Sequence, residues 1–121
     1  MTEKSYEEQV AEAKSRVAEV TAAEAMSLQR AGNGVAFLDV REPNEWNLFR
    51  IPGAVHVPLA AVRDSVRDAV PPSAGRVVVY CARGNRSALA ADAMRELGYA
   101  DVVSLAGGIM GWVSAGGEVE E

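Results

Sequence analysis

Cysteine and histidine are nearly absent from this chain of 121 residues: Cys81 is the only cysteine and His56 the only histidine. A single cysteine excludes an internal disulfide and a cysteine-rich zinc site, and a single histidine argues against a histidine-based metal cluster. We therefore expect no metal and no other cofactor. Any thiol chemistry must use Cys81.

Long apolar runs are lacking as well. No stretch of the sequence is long enough to span a bilayer, and its charged first residues contain no apolar run of signal-peptide length. The net charge is −5 and no basic stripe occurs, which argues against nucleic-acid binding. These features predict a cytoplasmic protein that does not bind membranes and whose thiol stays reduced.

The sequence does contain enough apolar residues, 49%, to form the core of one compact domain. Short valine-rich runs alternate with helical patterns, which is typical of an α/β fold with a small, mostly parallel sheet. Thr21 and Glu24 form a capping box for the second helix, which Gly32-Asn33-Gly34 ends. The predicted strands span 35–40, 54–57, 76–80 and 101–105, and the predicted helices span 5–19, 21–29, 44–48, 59–70, 86–97 and 109–114.

Cys81 ends the third predicted strand, and a glycine- and arginine-rich loop connects it to a helix. In parallel α/β sheets, ligands bind at such strand-to-helix junctions. If the loop curls around one centre, its N–H groups and the helix N-terminus form an anion cradle, for which Gly84 and Asn85 supply the unusual backbone angles. A thiol at the mouth of this cradle should favour its thiolate form, so Cys81 is a candidate nucleophile. The cradle residues are Ala82, Arg83, Gly84, Asn85, Arg86 and Ser87.

Two other interpretations of Cys81 compete with this one. A lone cysteine at the end of an apolar strand is often a small buried hydrophobe, but the loop that follows argues against that role here. A cysteine phosphatase or arsenate reductase typically separates its cysteine from its arginine by five residues, whereas four residues separate Cys81 from Arg86, and Ser87 stands at the phosphatase position. The tighter loop favours a single extra sulfur atom over a tetrahedral phosphate.

Four blocks of sequence, in order, resemble the rhodanese family of sulfurtransferases. They are the Cys81 loop, "FLDVREPNEW" from Phe37, "RIPGAVHVP" from Arg50, and "LGYADVVSLAGGIMGW" near the C-terminus. The resemblance implies a rhodanese-like three-layer fold with helices on both sides of the sheet. It predicts a rhodanese-like domain over residues 21–121 and an N-terminal helical extension over residues 1–20.

The resemblance also implies a reaction. Cys81 would take sulfane sulfur from a donor such as thiosulfate as a persulfide and pass it to cyanide or a thiol, small or on a protein. Backbone N–H groups from Ala82 to Ser87 would hold the persulfide, and Arg86 with Arg83 would bind the sulfonate end of thiosulfate. Asp39 and Arg41 would buttress the loop, although a purely structural ion pair is an equal alternative.

The chain departs from the family pattern just before the Ile-Pro-Gly-Ala segment, and this departure concerns the identity of the acceptor. The family often has Gly-His before its Ile-Pro-Gly-Ala segment, where this chain has Phe49 and Arg50. We expect Arg50 to be solvated rather than to extend the positive charge of the loop.

A non-enzymatic alternative is compatible with the same loop. The protein would then be a persulfide relay or a regulatory module that docks partners through its N-terminal helix.

Overall fold

The computed structural model describes residues 3–32 and 34–121 and contains a five-stranded sheet with helices on both faces. The α-helices are α1 (Tyr6–Arg16), α2 (Ala22–Ala31), α3 (Pro43–Leu48), α4 (Val62–Ala69), α5 (Asn85–Glu96) and α6 (Gly108–Ser114). The strands are β1 (Ala18–Val20), β2 (Ala36–Asp39), β3 (Val55–His56), β4 (Val77–Tyr80) and β5 (Val102–Leu105), and short 3₁₀ turns occupy Leu59–Ala61 and Pro72–Ala74. No helix in these ranges is long and apolar enough to cross a membrane.

All neighbouring strands run parallel, in the order β1-β5-β4-β2-β3. This arrangement confirms the predicted α/β fold. The capping boxes at Ser5–Glu8 and Thr21–Glu24 fix the starts of α1 and α2. Gly32 ends α2 in a left-handed conformation, and Asn33 of the predicted helix stop lies outside the described residues.

The prediction of a helix over 5–19 is wrong at its C-terminal end. The helix ends at Arg16, Val17 is extended, and Ala18–Val20 form an edge strand that pairs with β5. The apolar spacing fits a helix as far as Ala13, but pairing with an otherwise open sheet edge satisfies the backbone of these later residues and buries Val20. The sheet therefore has five strands instead of the predicted four. The division into residues 1–20 and 21–121 stays a prediction.

The core lies on both faces of the sheet, as expected for parallel strands. Successive residues of β4 point to opposite faces: Val77 and Val79 pack with α1, α4 and α5, and Val78 and Tyr80 pack with α2 and α6. All four side chains are fully buried. The central strand that leads to Cys81 is therefore held rigidly from both sides.

The carboxyl ends of the central strands meet at one edge of the sheet. Asp39 at the end of β2 lies opposite Tyr80 at the end of β4 and beside His56 at the end of β3. Cys81 follows Tyr80, and Gly107-Gly108 follow β5 at the same edge. Polar residues that are distant in sequence converge here.

Candidate active site

The Cys81 sulfur lies inside a curled loop and receives hydrogen bonds from its backbone. The N–H of Gly84 is 3.1 Å from Sγ and that of Ser87 is 3.3 Å from it. Both donors belong to the N-terminal end of α5, whose positive helix end faces the sulfur. The side chain is 1% exposed. Two backbone N–H donors and the end of a helix therefore point at the Cys81 sulfur.

Gly84 makes the curl possible. Its φ angle is 104°, and a Cβ placed there would lie 3.3 Å from the backbone N of Gly107 and from the backbone O of Leu105. A side chain at this position would meet both an unfavourable backbone conformation and close packing against the loop after β5. The prediction of unusual backbone angles is confirmed at Gly84 and wrong at Asn85, because Asn85 is already the first residue of α5 and only glycines have positive φ among the described residues.

The first turn of α6 fastens the loop from the other side. The N–H of Ile109 donates to the carbonyl of Cys81 at 2.9 Å, and the N–H of Met110 donates to that of Ala82 at 3.1 Å. Gly108 lies so close that a Cβ there would overlap the carbonyl groups of both loop residues. The carbonyls are thus turned away from the sulfur, which leaves the N–H groups to face it.

A cavity of about 250 Å³ opens onto the loop. Within the described part of the chain, four loop N–H groups have no hydrogen-bond acceptor, namely those of Ala82, Arg83, Asn85 and Arg86. The cavity is lined by these four residues together with Tyr6 and Cys81. A small electronegative atom attached to Sγ would therefore enter a space bordered by unused donors.

Arg86 lies at the loop, but its guanidinium is paired with Glu45 of α3. The two side chains form two parallel hydrogen bonds of 2.7 and 3.0 Å, and each side chain is about one quarter exposed. The hydrogen bonds from Arg86 lower the pKa of Glu45 to about 2, and the same bonds raise the pKa of Arg86 above its usual range. The charge of Arg86 is therefore compensated.

Sequence reasoning missed Glu45 as part of the site. The residue lies within the "FLDVREPNEW" block, but only the approach of α3 to the loop shows that it contacts Arg86. Arg83, by contrast, is exposed and forms no salt bridge with any residue in 3–32 or 34–121. Of the two arginines predicted to bind an anion, Arg83 carries the uncompensated charge.

Asp39 and Arg41 form a second arginine–carboxylate pair, buried behind the loop. Asp39 is fully buried and Arg41 is 3% exposed. The guanidinium donates to both carboxylate oxygens at 2.7 to 3.1 Å and to the carbonyl of Phe49 at 2.6 Å. It also lies 5.8 Å from the ring centroid of Tyr80, the residue before Cys81. Burial lowers the pKa of Arg41, but its hydrogen bonds to Asp39 outweigh this and leave it raised.

Ser104 is a further site residue that the sequence did not reveal. Its hydroxyl lies 2.8 Å from that of Ser87, which in turn lies 3.5 Å from Sγ of Cys81, and both serines are fully buried. The only sequence signal is a serine among the apolar residues of β5. This short chain of hydroxyls fixes the orientation of Ser87 beneath the sulfur.

His56 and Arg50 lie apart from the cavity. The His56 ring stacks on Trp46 at 4.9 Å, and its Nε2 is 2.8 Å from the carbonyl of Arg41. The Arg50 guanidinium lies 4.7 Å from the centroid of the Trp46 ring and donates a hydrogen bond to the Trp46 carbonyl. The Arg50 side chain is 22% exposed. The expectation of a solvated Arg50 is therefore wrong, because stacking on the aromatic ring holds the guanidinium.

The parallel α/β sheet thus presents one buried cysteine to the N–H donors of a loop that leads into a helix. The family model of the rhodanese-like domain matches residues 21–115. The chain therefore belongs to the rhodanese-like domain family, as the sequence resemblance predicted.

Individual relatives agree with this family. The probable adenylyltransferase/sulfurtransferase MoeZ of Mycobacterium tuberculosis is 38% identical over 82 residues, which are 68% of this chain and 21% of MoeZ. The chain thus spans about one fifth of the length of MoeZ. The thiosulfate sulfurtransferase PspE of Escherichia coli is 36% identical over 71 residues, 59% of this chain and 68% of PspE.

A solved structure extends the similarity to α1. A Rhodopseudomonas palustris protein, RPA3614, described as of unknown function and a possible tyrosine phosphatase, matches with a TM-score of 0.88 at 28% identity. The match covers 99% of this chain and 97% of that one. The N-terminal helix is therefore shared with at least one other protein of this fold.

Proposed function

We propose that this protein is a sulfurtransferase that carries sulfane sulfur as a persulfide on Cys81. The observation that carries the proposal is the Cys81 sulfur held by two N–H donors at the mouth of a small cavity with further unused donors. The sulfurtransferase names of MoeZ and PspE support transfer of sulfur, and PspE supports thiosulfate as a donor. A reducing cytoplasm would keep the thiol free, so we propose that location.

In the first step the Cys81 thiolate attacks the outer sulfur of thiosulfate. A sulfur–sulfur bond forms, the bond to the sulfite sulfur breaks, and sulfite leaves with the electron pair. The unused N–H groups of the loop would stabilise the negative charge of the persulfide. Arg83, which is exposed at the cavity, would attract the sulfonate, and Arg86 would add further N–H donors while Glu45 holds it in place.

In the second step a thiolate or cyanide attacks the outer sulfur of the persulfide. The bond to Sγ breaks, the Cys81 thiolate is regenerated, and the acceptor leaves as a persulfide or as thiocyanate. We propose that Asp39 and Arg41 are positioning residues, because their buried pair holds the carboxyl ends of β2 and β4 beneath the loop. They contact no reacting atom.

Phosphatase activity is a second candidate, favoured by the similarity to RPA3614. It would need a group near the loop that protonates the leaving oxygen. Glu45 is the carboxylate that pairs with Arg86 of the loop, but its pKa of about 2 leaves it ionised at neutral pH. Together with the four-residue spacing from Cys81 to Arg86, this disfavours phosphate chemistry.

The test compares sulfur transfer with phosphate hydrolysis on the same preparation. The wild-type protein should form thiocyanate from thiosulfate and cyanide and should not hydrolyse an aryl phosphate. Cys81→Ser should lower sulfur transfer by at least about 1,000-fold because it removes the nucleophile. Full activity of that variant would refute the assignment, and phosphate hydrolysis without thiocyanate formation would establish the second candidate instead.

A persulfide relay is the non-enzymatic alternative. It would load sulfur on Cys81 equally well but turn over slowly with cyanide and quickly with a partner protein's thiol. Thiocyanate formation at rates of at least about 1 s⁻¹ would favour a stand-alone enzyme.

A further inference from the structure

Tyr6 lies at the wall of the Cys81 cavity although it is distant in sequence from the loop. It is the first residue of α1 and precedes the span that the family model matches. Its ring lines the cavity together with Asn85 and Arg86, and its side chain is half exposed. The ring is therefore accessible to a molecule that approaches the sulfur.

The position of Tyr6 is fixed by the packing of its helix. Val10 and Ala13 of α1 are buried, and α1 packs mainly against α5, the helix that begins at the active loop. At the far end of α1, Arg16 donates to both oxygens of Asp92 on α5 at 2.8 to 3.1 Å. Because these contacts hold α1 against α5, the helix presents Tyr6 near the loop at a defined place.

A second cavity, of about 370 Å³, continues from the first along α1. The two cavities share Tyr6 and Asn85, and the second is also lined by Glu7 and Lys14. Cyanide and thiosulfate are small enough to occupy the first cavity alone. An organic thiol that reaches the sulfur along the second cavity would lay the rest of its molecule across Tyr6, beside Glu7 and Lys14.

We propose that Tyr6 determines the specificity of the second half-reaction, by binding the organic part of a peptide-thiol acceptor. An aromatic ring at the mouth provides an apolar, rigid contact for the acceptor's backbone, and Lys14 offers a cation for its carboxylate. This inference rests on the proposed sulfurtransferase function and assigns the acceptor contact within it. Loading of Cys81 from thiosulfate does not need Tyr6.

The experiment separates the two half-reactions in Tyr6→Ala and Tyr6→Phe. Loading is followed by mass spectrometry after mixing with thiosulfate, and transfer is followed with glutathione as the peptide thiol and with cyanide. Tyr6→Ala should raise KM for glutathione about five- to tenfold, while loading and KM for cyanide stay within about twofold. Tyr6→Phe keeps the ring and should stay within about twofold of wild type for all three measurements.

Val113→Ala is the matched control, since Val113 is also half exposed but does not line either cavity. It should leave KM for both acceptors unchanged. An unchanged KM for glutathione in Tyr6→Ala would overturn the inference. An equal rise in KM for glutathione and for cyanide would also overturn it, as would a drop in Tm large enough to explain both rises in KM. If the wild-type protein fails to load sulfur at all, the proposed function fails first, and that result is visible before any Tyr6 variant is made.

Discussion

The two arginine–carboxylate pairs beside the Cys81 loop have similar hydrogen bonds but very different access to solvent. The inner pair, Asp39 with Arg41, is almost completely buried. The outer pair, Glu45 with Arg86, is about one quarter exposed and borders the cavity through its arginine. Both pairs place a guanidinium in a two-point contact with a carboxylate.

The difference in burial predicts different functions for the two pairs. Neither inner charge can find another partner, so this pair fixes the carboxyl ends of the strands and is costly to break. The outer arginine reaches both Glu45 and the cavity, so an anionic substrate can share it with the carboxylate. We therefore propose that the inner pair is a structural support and that the outer pair adjusts the charge that a substrate meets.

The largest effect is expected from breaking the inner pair. Asp39→Asn keeps the volume of the side chain but leaves the charge of Arg41 buried without a counter-charge. It should lower the free energy of unfolding by about 3 kcal/mol or more, measured by denaturant titration. Asp101→Asn is the control, because Asp101 pairs with Arg76 at the surface, and it should cost less than about 1 kcal/mol. Equal losses in the two variants would contradict the structural role of the inner pair.

An intermediate effect is expected from breaking the outer pair. Glu45→Gln should lower the free energy of unfolding by less than about 1 kcal/mol, since the pair is partly exposed. It also frees the charge of Arg86, so KM for thiosulfate should fall about two- to fivefold in steady-state assays. Glu96→Gln removes an exposed carboxylate that pairs with Arg63 and should leave KM unchanged. An unchanged KM in Glu45→Gln would show that Arg86 does not contact the donor.

The smallest effect concerns acid stability. The pKa of Glu45 is about 2 in the folded protein against its usual 4.5. Because folding lowers this pKa, the pair contributes stability above pH 4.5 and loses it as the pH falls towards 2. The free energy of unfolding should therefore decline more steeply between pH 4.5 and 2 in wild type than in Glu45→Gln, by less than about 1 kcal/mol in total. If the free energy of unfolding declined equally in wild type and in Glu45→Gln, the ion pair would not lower the pKa of Glu45.

The sequence was informative where chemistry and local backbone rules coincide. The Cys81 loop could be recognised from its glycine and arginine residues and from its position between a strand and a helix, and Gly84 takes a φ of 104° in the structure. The alternation of valine-rich strands with helices predicted the parallel sheet, because both signals are local. The Thr21–Glu24 capping box placed the start of α2 for the same reason.

The rest depended on contacts between distant residues. Glu45 reaches Arg86 across 41 positions, and Ser104 reaches Ser87 across 17, so no local pattern reports either contact. Ala18–Val20 became a strand because β5 offered an edge, although the apolar spacing continued a helix. Arg50 was expected in solvent, but the ring of Trp46 holds it.

The most direct test of the account is sulfur loading of Cys81 by thiosulfate, read by mass spectrometry of the intact protein and of the Cys81 peptide. We predict a gain of one sulfur atom on Cys81, which is lost again as thiocyanate when cyanide is added. The protein should load equally well at neutral pH after Asp101→Asn. If wild-type protein gains no sulfur, or if the sulfur is found on Cys81→Ser, persulfide transfer at this loop is contradicted.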